Sequence, residues 1–230
     1  MGVKGVAALA DATKFMAAVA SLDCSQNDAI TGKRSRDNDG AAPWIYGEEL
    51  EGWVALCSSL SGSSITSLNF SGCQLNSESL TSLTKAISSM AAVADLNISI
   101  NPIGVDGAKA LGDVISGSSL KCLIIGPKGT RLPVNDEEVT ELNFEGQEFG
   151  PAEVTLVAAA TSTLAAVETV VLSQNRLGGR TVAFAADAVA IDAPVVGCFV
   201  KPPGDEECFE LTSLEPVRLK RVADGKLLEQ

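Results

Sequence analysis

The chain has 230 residues, 46% of them hydrophobic and only 4% aromatic, enough apolar material for a large core built from Ala, Val, Leu and Ile. Its formal charge of −12 argues against nucleic acid or an anionic membrane surface as main partner, since both require clustered Lys and Arg. It contains no histidine, and its six cysteines (Cys24, Cys57, Cys73, Cys122, Cys198, Cys208) form no CxxC pair, which excludes His-bearing zinc sites and Ser/His or Cys/His nucleophiles. No cofactor, no metal site and no enzyme activity are expected.

In chain order, MGVKGVAALADATKFMAAVA is interrupted by Asp11 and Lys14 before an adequate signal-peptide core forms, and Val6 breaks the myristoylation pattern. Nowhere do 18 apolar residues run together, so no membrane insertion and a reducing, cytoplasmic location are expected. After VASLDCSQN comes a charged, turn-forming insertion near residues 31–48, TGKRSRDNDGAAPWIYGEE, which carries Trp44 and Tyr46. Rigid aromatics on such a loop make interface anchors, or else fold back over a neighbouring turn. Lys33 to Arg36 is followed by Asp37 and Asp39 and reads as solvated loop. Leu50, Trp53, Cys57 and Leu60 share a helical face, as do Leu80, Leu83, Ile87 and Met90 in SESLTSLTKAISSM. GVDGAKALGDVISGSSL is a third helical segment, and it aligns with GVKGVAALADATKFMAAV at the start of the chain. GPKGTRLPVNDEEV, with two Gly and two Pro, leaves no room for a full helix and is expected to cross over as an extended loop. In GPAEVTLVAAATSTL the order Gly150, Pro151, Glu153 marks a helix start. Beyond Asp192 the pattern turns strand-like, and Asp224-Gly225 between two such runs signals a hairpin.

Between the helical segments one motif recurs. Its apolar residues fall at the first, fourth, sixth and eleventh positions, with Asn or Cys often at the ninth. ITSLNFSGCQL, VADLNISINPI, VTELNFEGQEF and VETVVLSQNRL fill it, VASLDCSQN opens the series, and LKCLIIGPK is a degenerate copy. Cys73, Asn101 and Asn175 occupy the ninth slot, where they can bond buried backbone between neighbouring turns; Gln147 and Lys128 fill it less well. The fourth positions, Leu22, Leu68, Leu96, Leu123, Leu142 and Val170, are separated by 46, 28, 27, 19 and 28 residues. An interval of 27 or 28 accommodates a strand, a turn and a helix, and parallel strands require such crossovers.

This pattern matches the leucine-rich repeat signature, and over residues 2–190 the chain resembles the ribonuclease-inhibitor-like leucine-rich repeat proteins, whose long repeats each carry a helix. The resemblance implies an α/β solenoid, curved, with parallel strands on the concave face and helices on the convex one. The expected organisation is a solenoid over residues 1–192 and a small antiparallel β cap over 193–230.

Strand side chains at the third, fifth and seventh positions point out of the concave face. The fifth-position row reads Asp23, Asn69, Asn97, Ile124, Asn143, Val171; Asp95 and Glu141 stand in the row before it, and Glu145 in the row after. With no concave Lys or Arg to balance Asp95, Glu141 and Glu145, the expected partner is a protein with a basic patch, held by this face together with Trp44 and Tyr46. Small polar residues that simply keep an exposed sheet soluble are the competing explanation. The resemblance implies protein binding in general, with regulation of a small GTPase and a structural role in an assembly as alternatives. The start of the chain lacks a polar capping unit, which leaves self-association or packing at that end open.

Overall fold

The computed structural model describes residues 2–13, 15, 17–35, 44–47 and 49–177 and, beyond these, the strand residues 181–182, 191–192, 199–200, 209–214, 217–221 and 227–229; side chains are described up to residue 177, except at 33–46. Two compact units are distinguished: Met1–Glu141 with Ala152–Glu168, and Leu142–Pro151 with Thr169–Gln230. The architecture is mixed α/β, with five helices and a mostly parallel main sheet among the described residues.

The first unit contains α1 (Val3–Thr13), β1 (Ser21–Asp23), β2 (Lys33–Ser35), β3 (Trp44–Tyr46), α2 (Glu51–Ser59), β4 (Ser67–Asn69), α3 (Ser77–Ile87), β5 (Asp95–Asn97), α4 (Gly104–Ile115), β6 (Cys122–Ile125) and β7 (Thr130–Pro133). Strands β1, β4, β5 and β6 are parallel neighbours, with Leu22 opposite Leu68, Leu68 opposite Leu96 and Leu96 opposite Leu123. The register therefore joins the same position of successive copies. Alternation along each strand buries the fourth-position leucines: Leu68, Leu96 and Leu123 are at most 1% exposed. The ring of Trp53 on α2 meets Phe70 edge-on at 5.0 Å, and its Nε1–H donates to the Ser79 carbonyl at 2.8 Å, so helix and strand layers close on one dry interior. Asn76 starts α3 in the manner of a good N-cap, its side-chain oxygen accepting from the Ser79 N–H at 2.9 Å.

Two segments differ from the sequence-based expectation. The insertion is not all loop, because β2 and β3 pair antiparallel, Lys33 opposite Tyr46 and Ser35 opposite Trp44. The segment after β6 does not cross over as an extended loop. It folds straight back as β7, antiparallel to β6, with Ile125 opposite Thr130 and Cys122 opposite Pro133. The cause is local: Gly126 and Gly129 adopt φ of +72° and +67°, which lets Gly126-Pro127-Lys128-Gly129 reverse the chain.

The ninth-position side chains bind neighbouring turns together. Asn101 accepts from the N–H groups of Cys73 and Leu75 at 2.9 and 3.0 Å, while its Nδ2 donates to the carbonyls of Phe70 and Ile98 at 2.8 and 2.9 Å. The Cys73 thiol donates to the Cys24 carbonyl at 3.0 Å. Just before this slot the backbone enters the left-handed region in five copies, at Gln26, Gly72, Ile100, Gly146 and Gln174, with φ between +57° and +64°. A β-carbon built on Gly72 would stand 2.5 Å from Gln26 Nε2.

β8 (Glu141–Asn143) begins at the boundary between the units, and α5 (Pro151–Thr161) follows it, starting at the predicted Pro151. The second unit also holds β9 (Thr169–Val171), paired with β8 in a separate two-stranded sheet. The same amide device recurs there, since Asn175 accepts from the Phe149 N–H at 2.9 Å and donates to the Phe144 carbonyl at 2.7 Å. Further along, β10 (Thr181–Val182) pairs antiparallel with β11 (Ile191–Asp192). A four-stranded antiparallel sheet follows, made of β12 (Phe199–Val200), β13 (Phe209–Leu214), β14 (Val217–Arg221) and β15 (Leu227–Glu229). Asp224, Gly225, Cys198 and Cys208 lie outside the described residues.

Candidate functional strand face

On β1, β4 and β5 the inward-pointing leucines leave the opposite face to polar side chains. Ser21 and Asp23 are exposed, and Ser67, Asn69, Asp95 and Asn97 are partly so. The structure thus brings Asp23, Asn69, Asp95 and Asn97 together on one sheet. Asn69 Nδ2 donates to Asp23 Oδ2 at 3.0 Å across the β1–β4 pair.

Where the fifth position is Asp or Asn, that residue also has a structural task that sequence reading missed. Its side-chain oxygen accepts from the backbone N–H two residues on: Asp23 from Ser25 at 2.8 Å, Asn69 from Ser71 at 3.1 Å, Asn97 from Ser99 at 3.0 Å and Asn143 from Glu145 at 3.1 Å. This is an Asx-turn, placed where each of these four strands ends. The degenerate copy has Ile124 there, which has no such acceptor, and β6 runs on to Ile125 and into its hairpin. Asp-Asn-Asn at a fixed offset before a Ser was the available signal. The N–H of Ser25 holds the Asp23 carboxyl below the usual carboxylate range, with hydrogen bonds from the Ser25 and Asn69 side chains adding to the effect.

Three expectations for this face need correction. Two of the seventh-position serines are not displayed, since Ser71 and Ser99 are 8% and 2% exposed, and the Ser99 hydroxyl turns back to Asn97 Oδ1 at 2.7 Å, whereas Ser25 is half-buried and Ser173 exposed. Cys122, in the row before, is buried as well, at 4%. The face also carries a cation. Arg131, on the unforeseen strand β7, sits opposite Ile124 and reaches Asp95 with its guanidinium 3.8 Å from the carboxylate. Both groups are largely solvated, so the pair changes the local charge pattern more than the stability. Gly-Pro-Lys-Gly between CLII and TRLP was the hairpin signal that would have found it.

Glu141, Asn143 and Glu145 are all exposed on or just beyond β8. Glu145 accepts from Gln174 Nε2 at 2.7 Å, so one of its oxygens is already engaged. Trp44 and Tyr46 belong to β3 by backbone, and their side chains lie outside the described residues.

The described cysteines are sequestered. Cys24, Cys57, Cys73 and Cys122 are free and buried, and loss of hydration pushes every one of these thiols up, Cys24 to about 11. Among the described residues no group of three or more His, Cys, Asp or Glu is arranged to hold a metal ion, and no helix is long and apolar enough to cross a membrane.

No family model matches this chain, and no curated protein matches it. Among solved structures it is similar to one described as Leiomodin-1 Actin-Binding Site 2 (ABS2), at 12% identity and a TM-score of 0.42, over 70% of this chain and 75% of that one. So slight a likeness has no bearing on function.

Proposed function

We propose that the chain is a leucine-rich repeat protein of the ribonuclease-inhibitor-like kind, acting in the cytoplasm as a non-catalytic scaffold that holds a protein with a basic patch against its strand faces. In-register parallel strands at the motif's own intervals, tied by ninth-position amides, support the repeat reading. One observation carries the binding reading. Apolar residues at the fourth and sixth positions of β4 and β5 are at most 2% exposed, while the polar residues between them stay accessible, and the accessible carboxylates outnumber Arg131. A sheet face needed only for solubility would also be polar, so the charge of the face is what must be tested.

Two matched charge reversals test it, Glu141→Lys with Glu145→Lys for the β8 face, and Asp23→Lys for the β1 face. Wild-type chain immobilised at low salt is expected to retain a defined partner, with retention falling as salt rises and lost on at least one reversal. Equal retention by all three proteins, independent of salt, overturns the assignment of binding to these faces.

A further inference from the structure

Two apolar surfaces late in the chain have no partner among the described residues. The fourth- and sixth-position residues of earlier copies are sealed: Leu68, Phe70, Leu96, Ile98, Leu142 and Phe144 are at most 3% exposed. In the copy that contains β9 the equivalents, Val170 and Leu172, are only half-buried, and β9 pairs with β8 alone. A single repeat cannot bury its apolar side by itself, so the β9 copy needs a cover. The second surface is on the four-stranded sheet β12–β15. Residues directly opposite in an antiparallel ladder share a face, as do residues two apart along a strand. Val200 opposite Phe209, Leu211 opposite Leu219 and Leu219 opposite Leu228 therefore lie on one face, which continues through Val217 and Leu214 and carries Arg221 as its one charge. Glu210 stands opposite Lys220, and Arg218 opposite Glu229, on the other face. The sheet is thus amphipathic, and no helix is described beyond α5 to cover its apolar side.

We propose that the apolar face of β12–β15 docks on the open side of the β9 copy, against Val170 and Leu172, and closes the repeat series there. β9 and these four strands belong to one compact unit, which sets this sheet apart from every other element as the occupant. The two surfaces match in kind, and joining them removes both from water in one step. Residues 173–198 tether them. An intramolecular tether holds the sheet near the β9 copy at an effective concentration of order mM, which a second chain in the micromolar range does not approach. The docking rests on the repeat reading above and is independent of any partner on the strand faces.

Amide hydrogen exchange of the full chain tests this, with Leu219→Asp on the apolar face and Ser213→Asp, opposite Arg218 on the polar face, as matched variants. The reporters are the Phe144 N–H, bonded to the Val171 carbonyl, and the Gly146 N–H, bonded to that of Ser173. Both should exchange about tenfold faster or more in Leu219→Asp and within about twofold of the wild type in Ser213→Asp. Leu219→Asp removes the cover whether it undocks the sheet or unfolds it, so the reporters decide in either case. The Phe70 and Ile98 N–H groups, bonded to the Asn97 and Ile124 carbonyls, read the earlier copies separately. Protection there, with Phe144 and Gly146 exchanging equally in all three proteins, overturns the docking and leaves the repeat reading standing; equal acceleration in both variants overturns the choice of face. Leu172→p-benzoylphenylalanine gives a second measurement. On irradiation it should cross-link to residues 199–229 of its own chain, and cross-links that join two chains, or that miss these strands, overturn the proposal.

Discussion

A single side chain, Asn101, holds Cys73 in place from 28 residues away: its amide oxygen accepts the Cys73 N–H at 2.9 Å, and its Nδ2 reaches the Phe70 carbonyl at 2.8 Å. Removing it by Asn101→Ala strands two donors and two or more acceptors in a part-buried site at once. A loss of about 3 kcal/mol or more is expected, as unsatisfied buried groups cost roughly 1–3 kcal/mol each and some will find water. Asn101→Asp keeps the acceptor but loses all three bonds that Nδ2 donates, to the carbonyls of Phe70, Ile98 and Ser99, and should be destabilised relative to the wild type. Urea midpoints for the three proteins check the order.

Ile100 is a β-branched residue at φ +58° with 52% of its surface exposed, so it bears a left-handed backbone without the reward of burial. The copies around it place Gly72 and Gly146 at the same position. Ile100→Gly is therefore expected to stabilise the fold by about 0.5–1 kcal/mol, the net of a conformational penalty of about 1–2 kcal/mol removed and the greater freedom of unfolded glycine. A lower thermal midpoint in the variant would show that the strain reading is mistaken.

Trp53→Phe keeps most of the apolar volume but removes the donor that satisfies the Ser79 carbonyl at 2.8 Å. A loss of about 2–3 kcal/mol is expected, combining the orphaned acceptor with the vacated space of the indole. The part of the native emission that is lost in Trp53→Phe, leaving Trp44, should also be blue-shifted, because Trp53 is 0% exposed.

Acid should act through Asp23. Its folded carboxyl titrates below its unfolded value, held there first by the Ser25 N–H, so it contributes stability above the unfolded value and loses it as pH falls through the folded one. The window opens below about pH 4. Asp23→Asn preserves the acceptor for Ser25 without the titration, and its stability should decline less steeply between pH 4 and 2 than that of the wild type.

Thiol labelling at pH 8 under native conditions should spare Cys24, Cys57, Cys73 and Cys122, because burial raises all four and keeps them protonated there. Peptide mapping after unfolding should then find all four modified. Rapid native labelling at Cys73 would contradict the closed packing between the turns that carry Cys24 and Cys73.

The stretch from Ile65 to Leu96 was legible because position and burial coincide there: one period fixes which leucine points inward, and Asn101 has no cheaper place for its amide than its neighbours' backbone. Legibility failed where a local rule outweighed the period. Ile124 stands where other copies have Asp or Asn, and two glycines after it reverse the chain, so Arg131 arrives on a face that the repeat alone left without a cation. Ser71 and Ser99 follow the alternation of a strand in sequence, but the chain has already left the sheet, and both are buried. The accessible rows are accordingly narrower than alternation predicts.

The left-handed turn just before the ninth position carries a consequence for how this chain can change. Large and small residues alternate there, Gln26 then Gly72 then Ile100, and Gly146 then Gln174, and a β-carbon on Gly72 would collide with its predecessor's amide. Drift at Gly72 and Gln26 is thus not independent: bulk gained at Gly72 requires the Gln26 side chain to move aside or shorten, so viable substitutions at these two sites should travel through a lineage as a compensating pair.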